Sequence, residues 1–152
     1  MQVWRLTKTK HARTAFDGEG ARLYGARWNS AGTRVAYAAS NSALAVLEVL
    51  VHVENVDVLA SYSLIQASLP DALVQTLEPA RLPNGWNRWP VPPRAQAVGD
   101  AWAAANETLA LQVPSAIVRG GMNLLINPAH QDFARFVVER VDRFTFDPRL
   151  VR

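Results

Sequence analysis

Apolar and polar residues alternate in short runs along most of this chain, and one longer aliphatic block breaks the pattern. The alternation over Val3 to Thr7 predicts a short strand, and "RVAYAA", Arg34 to Ala39, predicts another with Val35 and Tyr37 on one face. Ser61 to Leu69 reads as a third strand. From Ala43 to Val51 every residue is aliphatic except Glu48. Ser40, Asn41 or Ser42 can cap a helix there, predicted to run to about Glu54. A second helix is predicted over Ala95 to Glu107, although Gly99 weakens it. Leu109 to Arg119 and Asn123 to Asn127 read as two strands joined through Gly120 and Gly121. Asn127-Pro128 then looks like a helix start, with "HQDFARFVVER" as an amphipathic helix. Phe144 to Asp147 reads as a last strand.

Two stretches lack either period. "FDGEGARLYGARWNSAG" is rich in glycine and turn formers and is predicted to be a loop. Residues 79 to 93 hold five of the nine prolines, together with Trp86 and Trp89, and are predicted to be a long ordered loop. The whole is of the α+β class, a mixed sheet with flanking helices. No linker or internal repeat divides it, so residues 1–152 are read as a single domain.

Composition narrows the range of functions. The chain has 152 residues, 49% of them apolar and 19% charged, enough to bury one core. No apolar run approaches the roughly 18 residues of a membrane span. The start, "MQVWRLTKTK", lacks the order of a signal peptide. Cysteine is absent, which removes disulfides and thiolate metal sites and makes the cytoplasm the expected compartment. The "NET" sequon at Asn106 is then a chance match. The formal charge is +3, and Lys8 and Lys10 are the only lysines. Arginine suits phosphate or carboxylate ligands, but an arginine-rich surface alone gives the same balance.

Several chemistries have no support in the residue spacing. His11, His52 and His130 are too scattered for a metal site. "GEGARLYG" has neither the spacing of a dinucleotide fingerprint nor a Gly-Lys-Ser/Thr ending. No G-x-S-x-G elbow occurs. The tryptophans and arginines permit RNA stacking but follow no recognition-module pattern.

Glu48 is the clearest oddity, because Leu44, Leu47 and Val51 place it within the apolar face of its helix. A buried carboxylate is costly unless it is paired or neutralised. Spacing leaves two readings open. One is structural, an ion pair with an arginine or an i,i+4 contact with His52. The other is a functional carboxylate in a cleft. Ser115, Asn123, Asn127 and Arg27 each have an ordinary local reading as well: a turn hydroxyl, a turn residue, a helix cap and a surface ion pair.

The order of these pieces carries more than any one of them. "GARWNSAGTRVAYAASNSALAVLEVLVH", "GDAWAAANETLALQVPSAIV", "NLLINPAHQDF" and "FTFDPRL" together resemble the RES-domain family, and the resemblance runs from "VWRL" at Val3 to Leu150. That resemblance implies a fold similar to that of ADP-ribosyltransferases. It also implies the toxin of a bacterial toxin–antitoxin pair that consumes NAD+ by hydrolysis or phosphorolysis, or else by ADP-ribosyl transfer. NAD+ would be a substrate and not a resident cofactor, with inorganic phosphate as a candidate co-substrate. The implied partner is a Xre-type helix-turn-helix antitoxin in a hetero-oligomer, its tail expected to occlude the cleft near Arg27. Nucleic acid would be reached only through that antitoxin, and no membrane is involved.

Carried over by position, the family's catalytic residues fall on Arg27, Tyr37, Glu48 and Ser115, and its substrate-binding positions on Arg5, Trp28, Asn29 and Asn123. Ala26 departs from the family's usual Gly-Gly-Arg-Trp-Asn. The resemblance assigns Arg27, with Arg5, to the pyrophosphate and Tyr37 to stacking. Glu48 would face the positive charge that develops at the ribose, and Ser115 would position the ring amide or the nucleophile. A nucleic-acid-binding or RNA-cleaving module is the reading from a different class.

Overall fold

The computed structural model describes residues 1–53 and 61–150. Seven strands form one sheet: β1 Gln2–Lys8, β2 Ala36–Ala39, β3 Tyr62–Ser68, β4 Val74–Thr76, β5 Ala110–Pro114, β6 Met122–Ile126 and β7 Val137–Phe144. Their order is β4-β5-β6-β2-β1-β3-β7, antiparallel throughout except for the parallel β4–β5 edge. Among the described residues three α-helices accompany them: α1 Glu19–Tyr24, α2 Ser42–Leu50 and α3 Pro93–Ala105. The architecture is the expected α+β one. Among the described residues no helix is long and apolar enough to cross a membrane.

Register decides what each face carries. Trp4 pairs with Ala39, Ala39 with Asn123 and Tyr37 with Leu125, so these side chains share one face. That face is covered twice. α2 packs over Leu6 and Leu64, and α3 packs with Trp28 over Val35, Leu111, Val113 and Leu125. The opposite face carries Val3, Ile65, Ala67, Leu124 and Ile126 and is closed by Phe16 and Phe136, whose rings lie 4.6 Å apart.

The sheet opens between its two halves. β1 follows β3 in register from Gln2 to Lys8, yet it meets β2 in register only at Trp4 and Ala39. Arg5 spans the gap, donating from Nη1 to the Tyr37 carbonyl at 2.5 Å. A side chain thus replaces the missing ladder bond.

Five expectations from the sequence need correction. Glu19–Tyr24, read as loop, is a short helix. Its first turn is held by the Asp17 carboxylate, which accepts from the Glu19 N–H at 2.8 Å, and by the Arg22–Glu19 and Arg34–Glu19 ion pairs. The strand expected to run to Arg119 ends at Pro114. Residues 130–140 form no α-helix: after a 3-10 turn at Phe133–Arg135 the chain becomes β7, because β3 has a free edge that only another strand can satisfy. The last strand was expected at Phe144–Asp147, but β7 ends at Phe144. The short strand β4 was not foreseen. The helix expected to run to about Glu54 ends at Leu50, and Glu54 itself lies outside the described residues.

Candidate active site

α2 begins at Asn41, whose side chain accepts the Leu44 N–H at 2.9 Å. Leu44 and Ala45 are buried against the sheet, and Glu48 lies one turn further along the same side. Two neutral donors converge on one of its oxygens. Ser115 Oγ donates to Oε1 at 2.7 Å, and Asn123 Nδ2 donates to the same atom at 2.5 Å. No hydrogen bond to Oε2 is found among the described residues. The Ser115 hydroxyl also accepts the Ile117 and Val118 N–H groups at 3.1 Å each, so its one proton is committed to Glu48. No described cation pairs with Glu48, and exposed His52, in the turn after α2, makes no hydrogen bond to it. The structural reading of Glu48 as half of an ion pair is thereby replaced by a carboxylate held from one side by neutral groups.

Arg27 stands on a loop that is braced from three directions. Gly25, at φ +68°, ends α1 and turns the chain; a Cβ there would meet the Asn29 carbonyl and the Ala31 N–H at 3.2 Å. The Ala26 N–H then bonds to Asn29 O at 2.9 Å. Ala26 keeps a negative φ, so alanine in place of the family's glycine introduces no strain. Tyr37 braces the loop from below: its hydroxyl donates to Asn29 Oδ1 at 2.7 Å and accepts the Trp28 N–H at 3.1 Å. α3 braces it from the side. Gln96 Nε2 donates to Ala26 O at 3.0 Å, and Asp100 accepts from the N–H and hydroxyl of Ser30. Between them, Gly99 lets the helix approach so closely that a Cβ would lie 1.8 Å from Trp28 O.

The Arg27 guanidinium gives Nη1 to the carbonyls of Trp86 and Arg88, at 2.8 and 3.0 Å. The proline-rich loop is thus the fourth support, and Trp86 stacks on Trp28 with centroids 5.5 Å apart. Nε and Nη2 of Arg27 have no partner among the described residues. Burial lowers the Arg27 pKa, while the nearby Glu48 and Tyr37 pull it upward. Burial likewise lowers that of Arg5, opposed by Asp17. The Tyr37 hydroxyl is pushed far up by burial, so it acts as a neutral hydrogen-bonding group.

A cleft of about 790 Å³ lies between α2 and the Arg27 loop. Tyr37, Ala39 and Asn123 form its floor, Ala45, Glu48 and Val49 one wall, Arg27 and Trp28 the other, and Trp89 its lip. Arg5 reaches it through the split in the sheet. Arg5 Nε and Asn123 Oδ1 are buried without partners among the described residues, which leaves an unmet donor and an unmet acceptor at the cleft. No carboxylate forms a salt bridge with Arg5 or Arg27 among the described residues. Two guanidinium groups without carboxylate partners among the described residues, and one carboxylate, therefore border a cavity of ligand size.

Of the eight residues singled out by sequence, Arg5, Arg27, Trp28, Tyr37, Glu48 and Asn123 line the cleft. Ser115 sits just behind Glu48. Asn29 does not reach the cleft: it is fully buried, and its amide holds the carbonyls of Ala21, Ser30 and Thr33. It shapes the loop that carries Arg27. Asn127, read as a helix cap, instead donates to Asn106 Oδ1 at the C-terminal end of α3 and accepts the Ala129 N–H. Sequence reasoning missed Gln96 and Asp100. Their spacing around Gly99 on α3, i, i+3 and i+4, was the signal available: a glycine flanked on one helix face by two polar side chains fits a close backbone approach.

The family model described as RES domain matches residues 2–147. The chain is 39% identical to the Photorhabdus laumondii protein named Toxin Res, over all of this chain and 98% of that protein. It is 37% identical to the Sphingobium protein named Prs ADP-ribosylating toxin, over 98% of this chain and 96% of that one. The fold is similar to a chain in the crystal structure of the M. tuberculosis MbcT–MbcA toxin–antitoxin complex, with a TM-score of 0.76 and 25% identity over 95% of this chain and 84% of that one.

Proposed function

This chain belongs to the RES domain family, and from that premise we propose that it is the toxin of a bacterial toxin–antitoxin pair, acting in the cytoplasm by cleaving the nicotinamide–ribose bond of NAD+. One observation carries the reading: Glu48 is fixed through a single oxygen by Ser115 and Asn123, in a cleft whose other charged groups, Arg27 and Arg5, are cations without carboxylate partners among the described residues.

The chemistry follows from those positions. Arg27, braced by the Trp86 and Arg88 carbonyls, offers its remaining N–H groups to the pyrophosphate, with Arg5 behind it. Glu48 presents its second oxygen to the ribose. As the glycosidic bond lengthens, nicotinamide leaves with the bonding electrons and becomes neutral, while positive charge builds on the ribose. A carboxylate held in place before the reaction stabilises that charge without reorganising. Water or phosphate then forms the new bond at the ribose carbon. Tyr37 presents its ring to the cleft and uses its hydroxyl to hold the Arg27 loop. The Ser115 hydroxyl, already committed to Glu48, orients that carboxylate and not the ring amide or the nucleophile.

Purified protein mixed with NAD+ is expected to release nicotinamide, and addition of phosphate distinguishes phosphorolysis from hydrolysis. Absence of release under both conditions would sink the proposal. A second reading, transfer of ADP-ribose to a protein, is favoured by the Sphingobium relative's name. Under that reading labelled NAD+ marks a discrete band in a lysate; free ADP-ribose as the sole product rejects it. The proposed partner is a Xre-type antitoxin whose tail fills the cleft beside Arg27, in keeping with the toxin–antitoxin complex that this fold resembles.

A further inference from the structure

β7 is the long free edge of the sheet, eight residues against three in β4 at the opposite edge. Among the described residues no helix covers it: Val137, Val138 and Val141 are 51%, 48% and 51% exposed. A long edge with half-exposed valines is a template for another strand. Charges on an edge ordinarily discourage such pairing, so their order is decisive.

We propose that β7 pairs with β7 of a second copy of this chain, antiparallel about a two-fold axis at Val141, joining two sheets into one. In that register Val141 faces its own counterpart, and Arg140 faces Asp142 on either side of the axis. At this centre each charge meets its opposite and valine meets valine. Neighbouring registers fail this test. Centring on Arg140 sets that arginine against its own counterpart, and centring on Asp142 does the same with that aspartate. Arg140 and Asp142 already form a surface pair at 2.6 Å, which the two-fold would expand to a cluster of four charges. The central residues Arg140 to Asp142 keep regular register with β3; the bulge opposite Gln66 and Ala67 places its extra residue at Glu139, outside that centre. The interface is isologous, so the assembly closes at two copies and leaves no new edge there.

Charge reversal tests this directly. Sedimentation velocity on the purified chain is expected to show a concentration-dependent dimer. Arg140→Asp alone sets Asp against Asp twice across the axis, and Asp142→Arg alone sets Arg against Arg twice; each is expected to be monomeric. Mixed together, the two variants restore both attractive pairs and are expected to form a heterodimer. Val141→Lys is expected to abolish association of the otherwise unchanged chain, with circular dichroism reporting that the fold is kept. A wild-type chain that stays monomeric at all concentrations, including one that pairs along β7 only with a different protein, overturns the proposal. So does dimerisation of the single reversals at wild-type strength.

Discussion

Ser115 Oγ and Glu48 Oε1 lie 2.7 Å apart although 67 residues separate them in the chain. The hydroxyl donates its proton to the carboxylate and accepts two main-chain N–H groups in return. Replacing Glu48 by Gln keeps an oxygen for both donors but removes the charge. Nicotinamide release is therefore expected to fall by about 10²–10³-fold, the scale of losing a preorganised charge interaction, while the melting temperature stays within a few degrees of wild type.

Ser115→Ala acts on the same carboxylate from behind. Asn123 alone then holds Oε1, and the Ile117 and Val118 N–H groups lose their acceptor. Stability is expected to drop by about 1–3 kcal/mol in urea unfolding. kcat for NAD+ cleavage is expected to fall more than KM rises, since the binding groups Arg27 and Arg5 are untouched. A KM effect with unchanged kcat would place Ser115 in ground-state binding instead.

Tyr37→Phe is expected to show the opposite split. Losing the hydroxyl strands the Trp28 N–H and Asn29 Oδ1 in a buried setting, again at about 1–3 kcal/mol. The loop bearing Arg27 loosens, so KM for NAD+ is expected to rise more than kcat falls. Unfolding midpoints and initial rates on one preparation check both halves.

Two glycines give opposite outcomes for the same substitution. Gly99→Ala forces a methyl to 1.8 Å from the Trp28 carbonyl, backbone against backbone, and is expected to cost about 3 kcal/mol or to displace the Arg27 loop. Gly20→Ala, in α1, meets nothing within 4 Å and is expected to stabilise by about 0.5–1 kcal/mol. Thermal melts of the two variants make the comparison.

Glu19 supplies a pH test. Its hydrogen bonds and proximity to Arg22 and Arg34 hold the carboxyl down from its ordinary 4.5 to about 2. The folded value lies below the unfolded one, so the contribution is complete above pH 4.5 and fades as the pH falls towards 2. The group is exposed and salt-screened, so the effect is small. The melting-temperature difference between wild type and Glu19→Gln is expected to shrink across that window, and to shrink at any pH as salt is added.

Local order along the chain carries the elements whose signal is itself local. The strands near Val3, Tyr37, Ile65 and Leu124 follow from alternation, and α2 follows from an aliphatic run behind an Asn cap. Gly99, read as a weakness of α3, is there because the helix must touch Trp28. Val137 to Arg140, the first half of β7, also fits the helix pattern because Phe133, Phe136 and Val137 keep a 3.6-residue period, and because no buried face imposes alternation there. α1 was hidden by flanking glycines that define its ends.

By itself the sequence determined the α+β class, the family and six of the residues that line the cleft, because these depend on short periods and on residue types in a set order. Only the tertiary structure decided what holds them. Glu48 proved to be fixed by hydroxyl and amide donors brought from 67 and 75 residues away, with no cation on it among the described residues. Asn29 proved to be loop scaffolding, and Gln96 and Asp100 proved to grip the Arg27 loop. The reason is physical: a local pattern reports which face of an element is apolar, whereas a polar side chain's partner is chosen by strand register and helix approach, which no window of neighbouring residues contains.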